Sequence, residues 1–270
     1  MDSTSGLRAV FLGSGSAGNC TAIVSDETLV LVDCGFSARK VSRRLEAAGL
    51  DPARVAAVLV THEHGDHVRG IEVFCRRHAP ECAVVATSGT RRAAGPASLG
   101  GSAQSIRPGD ALHIGDLEIV AFSTSHDAEE PVGYRISGGG QTIGIATDTG
   151  VLTPEAREAL SGVDVLAIEG NHDVRMLEQG PYPYHLKRRI LSAKGHLSNA
   201  DAARALEVLA GDRLKRVVAM HRSRTNNTSA IAATVLRERL KRLGLAVPVD
   251  VAEQHGGIDT RPPQSSLSAT

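Results

Sequence analysis

An α+β fold is predicted, with two sheets packed face to face and helices outside. Two observations carry this expectation. Short β-like apolar runs open each half of the chain, and helical patterns alternating with further strands follow in each half. The 270 residues suffice to bury such a core, and 41% apolar against 22% charged residues is the balance of a globular chain.

The elements follow in order. LRAVFL, CTAIVS and LVLVD read as strands, the last two joined across a turn at Asp26 and Glu27. Residues 38–48 have helical spacing, with Val41, Leu45 and Ala48 on one face and Gly49 as a stop. A buried strand at 55–60, a helix at 68–78 and a strand at 83–86 come next. The polar, glycine-rich stretch 94–104 reads as a surface loop and is the only linker candidate. It is too short to divide the chain, so one domain is expected over 1–260. A second β-rich block covers 111–146, with strands at 117–122, 133–137 and 142–146 and a turn at Gly138-Gly139-Gly140. Strand 163–168, helices near 182–192 and at 199–209, strand 217–220 and a long helix at 229–243 complete the pattern. Residues 261–270 are rich in Pro and Ser and read as a disordered tail. No internal repeat is evident in the sequence.

Composition narrows the function classes. Thirty Lys and Arg balance thirty Asp and Glu, so no whole-molecule charge draws the chain to nucleic acid, although a local basic groove remains compatible. Twenty-five of the thirty cations are Arg, which coding bias explains better than phosphate recognition does. No apolar run reaches the roughly 20 residues of a membrane helix, and none of signal-peptide length precedes the first glycines. A cytoplasmic protein without membrane attachment is expected. Cys20, Cys34, Cys75 and Cys82 form no CxxC pair and read as small buried hydrophobes.

Gly13, Gly15 and Gly18 spell GxGxxG after a strand, with Asp33 twenty residues beyond Gly13. A dinucleotide site needs a helix directly after the glycines, so that its N-terminus faces the pyrophosphate. Here Thr21, Ala22, Ile23 and Val24 follow, then a turn and a second strand. The motif therefore reads as a tight loop joining two strands.

The strongest chemical signal is Thr61-His62-Glu63-His64-Gly65-Asp66-His67, directly after a buried strand. Imidazole and carboxylate ligands together suit zinc, iron or manganese. His62 and His64 can point to one metal, and Asp66 and His67 to a second beside it. Two metals need more ligands than one loop supplies. His126 in FSTSHD, Asp148 in IATDTG and His221 in VVAMHRS each follow a predicted strand and complete a coherent set.

HxHxDH with the later His, Asp and His resembles the metallo-β-lactamase-fold hydrolase superfamily. The resemblance implies a four-layer αβ/βα sandwich with its site at one edge between the sheets. It implies that His62, His64 and His126 bind a first metal, that Asp66, His67 and His221 bind a second, and that Asp148 bridges both. Asp33, in LVDCG, falls at a structural Asp that orients the ligand loop. LGSGSAGNCT, THEHGDH, IEGNHD, GPYPYHLKRRILSAKGHLSN and HRSRTNN are further similar to the YycJ/WalJ family. That family is regarded as DNA exonucleases, with tRNA- and mRNA-processing nucleases among its relatives. One departure is Arg222, where an apolar residue is expected between His221 and Ser223.

The implied activity is a dinuclear-metal phosphodiesterase, most plausibly a DNA exonuclease, using two zinc or manganese ions (iron is compatible). Metals roughly 3.5–4 Å apart hold a hydroxide available at neutral pH. Asp66 orients it and accepts a proton. His196 is the expected general acid and Glu169 its orienting partner, an arrangement similar to that of related RNA-processing enzymes. His172 and Asp173 are candidates for supporting roles. Hydrolysis of a thioester, lactone or β-lactam on the same site is the competing reading. Nucleic acid, DNA before RNA, is the expected partner. Residues 187–224 carry ten cations and three acids, a plausible backbone-binding surface. Tyr182 and Tyr184 are the only aromatics nearby, which gives base stacking little support.

Overall fold

The computed structural model describes residues 6–100 and 103–261. In the first half, β1 (Arg8–Gly13), β2 (Cys20–Val24) and β3 (Leu29–Val32) form antiparallel pairs. Helix α1 (Ala38–Ala47) leads to β4 (Val55–Leu59). Helices α2 (Gly65–Val68) and α3 (Ile71–His78) then lead to β5 (Ala83–Ala86), and α4 (Ser88–Ala94) and α5 (Pro96–Leu99) to β6 (Gln104–Ser105). In the second half, β7 (Ala111–Ile114), β8 (Leu117–Ser123), β9 (Val132–Gly138) and β10 (Gln141–Ala146) form an antiparallel meander. Then come α6 (Pro154–Leu160), β11 (Val165–Glu169), α7 (Val174–Gln179), α8 (Tyr184–Ile190), α9 (Asn199–Leu209), β12 (Arg216–Met220), α10 (Ser229–Arg242), β13 (Val249–Val251) and β14 (Ile258–Asp259).

The strands form two seven-stranded sheets, ordered β14-β1-β2-β3-β4-β5-β6 and β13-β12-β11-β10-β9-β8-β7. Each sheet has three antiparallel pairings followed by three parallel ones. The shared plan of the halves is thus visible in pairing, although the residues show no repeat. Strands are apolar on both faces because both faces are covered. In β1, Ala9 and Phe11 point into the core between the sheets, while Val10 and Leu12 pack under α1 and α3 with Val41, Leu45, Ile71 and Phe74. In the second sheet, Leu166 and Ile168 pack under α6, α9 and α10 with Leu160, Leu206, Leu236 and Leu240. The result is a four-layer αβ/βα sandwich. Tyr134, fully buried between the sheets, donates its hydroxyl to Val60 O across them at 2.7 Å.

Two expectations are corrected. The helix expected at 68–78 is two helices broken at Arg69 and Gly70. Gly70 N–H donates to Cys34 O, and a Cβ at Gly70 would lie 2.1 Å from Phe36 O, so the chain cannot wind through this point undisturbed. The loop expected at 94–104 contains α5, and α4 runs into it. Thr87 caps α4 and Pro96 starts α5, both readable start signals. Residues 101–102 lie outside the described residues. So does the predicted tail beyond Arg261, whose own N–H donates to Asp259 at 2.9 Å.

Candidate metal centre

Parallel strands of both sheets end at the same edge, and the functional side chains lie on the turns that follow. His62 and Asp66 follow β4, His126 follows β8, Asp148 follows β10 and His221 follows β12. Glu169 ends β11. Three turns bend sharply: Asp33, which follows β3, Asp148 and His221, with φ of 61°, 50° and 52°, are the non-glycine residues at positive φ among the described residues. Left-handed backbone costs an L residue about 1–2 kcal/mol, and such strain concentrates at functional sites.

All seven residues expected as ligands converge. Donor atoms of His62, His64 and His126 lie within 4.8 Å of one another, as do those of Asp66, His67 and His221. Asp148 stands between the two groups: Oδ1 is 3.8 Å from His126 Nε2, and Oδ2 is 3.3 Å from His67 Nε2. His62 Nε2 and His64 Nδ1 approach to 3.1 Å.

The outer nitrogens of four rings are held from behind, which turns the others inward. His67 Nδ1–H donates to Asp33 Oδ2 at 2.8 Å, and His126 Nδ1–H to Gly195 O at 3.0 Å. His62 Nδ1 is 3.0 Å from Thr61 Oγ1, whose own proton goes to Asp33. His221 Nδ1 is 3.0 Å from Glu169 Oε1, and its Nε2 is buried without a protein partner. Neutral imidazoles anchored at Nδ1 with Nε2 free are what metal ligation requires. Five imidazoles and two carboxylates, with no thiolate, form a donor set that fits divalent transition metals.

Electrostatics divide the cluster. Burial would lower His221, but Asp148, Asp66 and Glu169 carry it up to about 10. Burial likewise opposes protonation of His67, and Asp33 and Asp148 outweigh it and raise its pKa well above the usual value. His62 is depressed, by burial first and then by His67. Burial would raise Asp148, yet His221 and His67 hold it far below the usual carboxylate range. The carboxylate side therefore demands positive charge, which protons or cations must supply.

Glu169, fully buried, is a hub. Its Oε1 meets His196 Nδ1 at 2.8 Å and His221 Nδ1 at 3.0 Å, while Oε2 accepts from Thr149 N and Leu197 N. His196 lies at the mouth, its side chain 21% exposed. Ser198 caps α9, so cap and orientated imidazole coexist two residues apart.

Sequence reasoning missed several residues here. Asn19 Nδ2 is 3.0 Å from His67 Nε2 and 3.4 Å from Asp66 Oδ2. Ser14 accepts from His221 N–H at 2.7 Å, and Asn171 donates to His221 O at 2.8 Å. Ser14 and Asn19 belong to the glycine loop set aside as a nucleotide motif; it joins β1 to β2 as expected and also floors the site. Asp173 caps α7 by accepting from Met176 N–H. His172 is buried with both ring nitrogens unpartnered, and its backbone pairs with Ser198 beside His196.

The basic surface expected over 187–224 is dispersed. Arg213 and Lys215 bind Asp164 at the opposite ends of the strands, at 2.8 and 2.9 Å. Arg216 pairs with Asp250, Arg204 with Asp201, and Arg189 with Asp127. Arg222 pairs with Glu253 at 2.9 Å and donates to Ser223 O and Asn227 O, which explains a cation where an apolar residue was expected. Among the described residues no helix is long and apolar enough to cross a membrane.

Comparison with known proteins agrees with this architecture. A model of the β-lactamase superfamily domain matches residues 28–222. The chain is 35% identical to exodeoxyribonuclease YycJ of Bacillus anthracis over 90% of its own length and 92% of that protein's. It is 33% identical to exodeoxyribonuclease WalJ of Streptococcus pneumoniae, covering 97% and 98%. The fold superposes on the metallo-β-lactamase fold protein YhfI of Bacillus subtilis with a TM-score of 0.69, at 18% identity, over 94% of this chain and 98% of that one. The chain is thus a metal-dependent hydrolase that belongs to the metallo-β-lactamase superfamily and, within it, to the YycJ/WalJ family.

Proposed function

We propose that the chain is a dinuclear-metal phosphodiesterase that shortens DNA from an end. The observation that carries this reading is the pair of abutting donor clusters, sharing Asp148, with the Glu169–His196 pair at their mouth. His62, His64 and His126 would hold one divalent ion, and Asp66, His67 and His221 the other; zinc or manganese suits this donor set, and iron is compatible with it. When bound, such a pair supplies a nucleophilic water at neutral pH and neutralises charge on a phosphoryl group. The residues of the chain do the rest. Asp66, its Oδ2 3.6 Å from His67 Nε2 and 3.7 Å from His221 Nε2, is placed to accept the proton of the attacking water. His196 holds its Nδ1–H on Glu169, which leaves Nε2 to deliver a proton to the leaving oxygen. Burial would lower its pKa, but Glu169 outweighs burial and raises it above the usual imidazole value. The names of the YycJ and WalJ relatives support DNA as substrate.

The test is a panel on purified protein: 5′- and 3′-labelled single- and double-stranded DNA, RNA and a thioester, each with metal and with chelator. Stepwise shortening of DNA that chelator abolishes, and elemental analysis near two equivalents per chain, are expected. Thioester cleavage without DNA cleavage would instead favour the small-molecule reading. One equivalent after metal loading would reject the dinuclear assignment.

A further inference from the structure

We propose that the cavity beside His196 is a subsite for a single nucleobase of the scissile strand, with Tyr182 as its stacking face. This deepens the phosphodiesterase reading and rests on it. The starting point is where the chain leaves its aromatic side chains. There are four Phe, three Tyr and no Trp. Phe11, Phe36, Phe74, Phe122 and Tyr134 are all buried, at 3% exposure or less. Tyr182 and Tyr184 alone reach solvent; Tyr184 begins α8, and Tyr182, two residues before it, lines a cavity together with His196. The scarcity of aromatics, which argued against stacking when read from sequence, becomes selective once the fold shows which two are left outside.

The cavity has a volume of about 210 Å³, and its lining includes Tyr182, Leu186 and Ile190 together with the polar Ser16, Asn171 and Ser223. It is below the roughly 300–1,000 Å³ of drug-sized ligand pockets, so it suits one small planar group. His196 lines its inner end, which places a seated nucleoside next to the proposed proton donor. Tyr182 is held between Pro181 and Pro183, whose rings restrict the backbone on both sides, so little freedom is lost when a base stacks. Cations accompany the aromatic faces. Arg189 stands at the cavity rim in its ion pair with Asp127, and the Arg188 guanidinium lies 5.9 Å from the Tyr184 ring centre. Asp127 lines the cavity too, and its charge is offset by Arg189. Aromatic faces interleaved with cations are the chemistry of single-strand binding. The polar wall offers hydroxyls that both donate and accept, so little preference among bases is expected.

The experiment compares metal-loaded wild type, Tyr182→Ala and Tyr182→Phe on oligonucleotides whose terminal residue carries a base or an abasic tetrahydrofuran unit. Base stacking contributes enough to change affinity by about 5- to 100-fold. Tyr182→Ala should raise KM on the base-bearing strand by a factor in that range, with kcat changed less, and Tyr182→Phe should restore it. On the abasic strand wild type and Tyr182→Ala should converge. Quenching of a terminal 2-aminopurine, on a strand with a non-hydrolysable last linkage, should occur with wild type and Tyr182→Phe and be lost in Tyr182→Ala. Equal impairment of both strands by Tyr182→Ala, or no quenching by wild type, would overturn the subsite. Should wild type cleave no DNA, the phosphodiesterase reading fails separately. The quench titration then decides the subsite alone, upheld by a Tyr182-dependent signal and rejected by its absence.

Discussion

Asp33 is the residue whose replacement should most sharply separate folding from metal binding. It is buried at 2% exposure and touches no inward-facing donor nitrogen. Its Oδ1 accepts from Thr61 N–H at 2.9 Å, and its Oδ2 from His67 Nδ1–H at 2.8 Å. The Thr61 hydroxyl, 2.9 Å from Oδ2, donates its only proton to Asp33 and so accepts from His62 Nδ1–H. One carboxylate therefore sets the tautomer of two proposed ligands. In Asp33→Asn the amide can keep the Thr61 N–H bond only by aiming Nδ2 at His67 Nδ1. Donor then faces donor, and His67 must carry its proton on Nε2, where the metal would bind. Replacing partners behind a ligating histidine typically costs 10- to 100-fold in metal affinity, about 1.4–2.7 kcal/mol. Apo-protein stability should fall by about 1.5–3 kcal/mol for the lost charge-assisted bond. The backbone should hold, because Asn tolerates the φ of 61° at this position. Competition with a chromophoric chelator measures the affinity, and circular dichroism with a denaturant series measures the stability. Wild-type metal affinity in Asp33→Asn would refute the tautomer argument.

His196→Ala should slow cleavage by about 10²- to 10⁴-fold with metal content intact, and an aryl phosphodiester with a good leaving group should suffer less; metal loss would make His196 a ligand instead. Glu169→Gln should disturb metal binding as well as the proton donor, because Oε1 meets His221 at 3.0 Å in addition to His196; elemental analysis should show reduced metal together with reduced rate. Gly35→Ala places a Cβ 1.6 Å from Asp66 O, so the ligand loop must move; a stability loss of about 1–3 kcal/mol with lower metal occupancy is expected from thermal melts and elemental analysis. Asp164 is buried, but Arg213, Lys215 and Thr142 N–H outweigh burial and lower its pKa below the usual 3.8. A lowered folded pKa means stability that is present above the unfolded value and lost as pH falls through the folded one. Asp164→Asn should therefore cost about 1 kcal/mol at neutral pH, since both cations are mostly exposed and screened, and the difference should vanish in strong acid; an unchanged difference at acid pH would contradict it.

Much of this molecule was legible from residues alone. Strands buried on both faces write themselves as unbroken apolar runs, and β4, β5 and α9 lie within a residue of where such patterns put them. The ligands were legible because strand ends present them and because four fall within His62 to His67. Where reading failed, the local pattern was ambiguous or weak. Helix α6 is seven residues long, and β13 and β14 have three and two, too short for any period to register. The break at Gly70 depends on its contact with Phe36 O, and no helical spacing carries that information.

The sequence by itself determined most of the strands of each half, the metal-binding loop and the kind of chemistry that loop supports, because these depend on spacing within a few residues. Only the tertiary structure decided which groups share a partner. It joined Glu169 to both His196 and His221, across 27 and 52 residues. It brought Asn19 to His67, spread a run of cations over separate faces, and left Tyr182 and Tyr184 outside while burying every other aromatic ring. Such relations arise where two sheet edges meet. The distance between residues there is set by how the layers pack, and separation along the chain does not encode it.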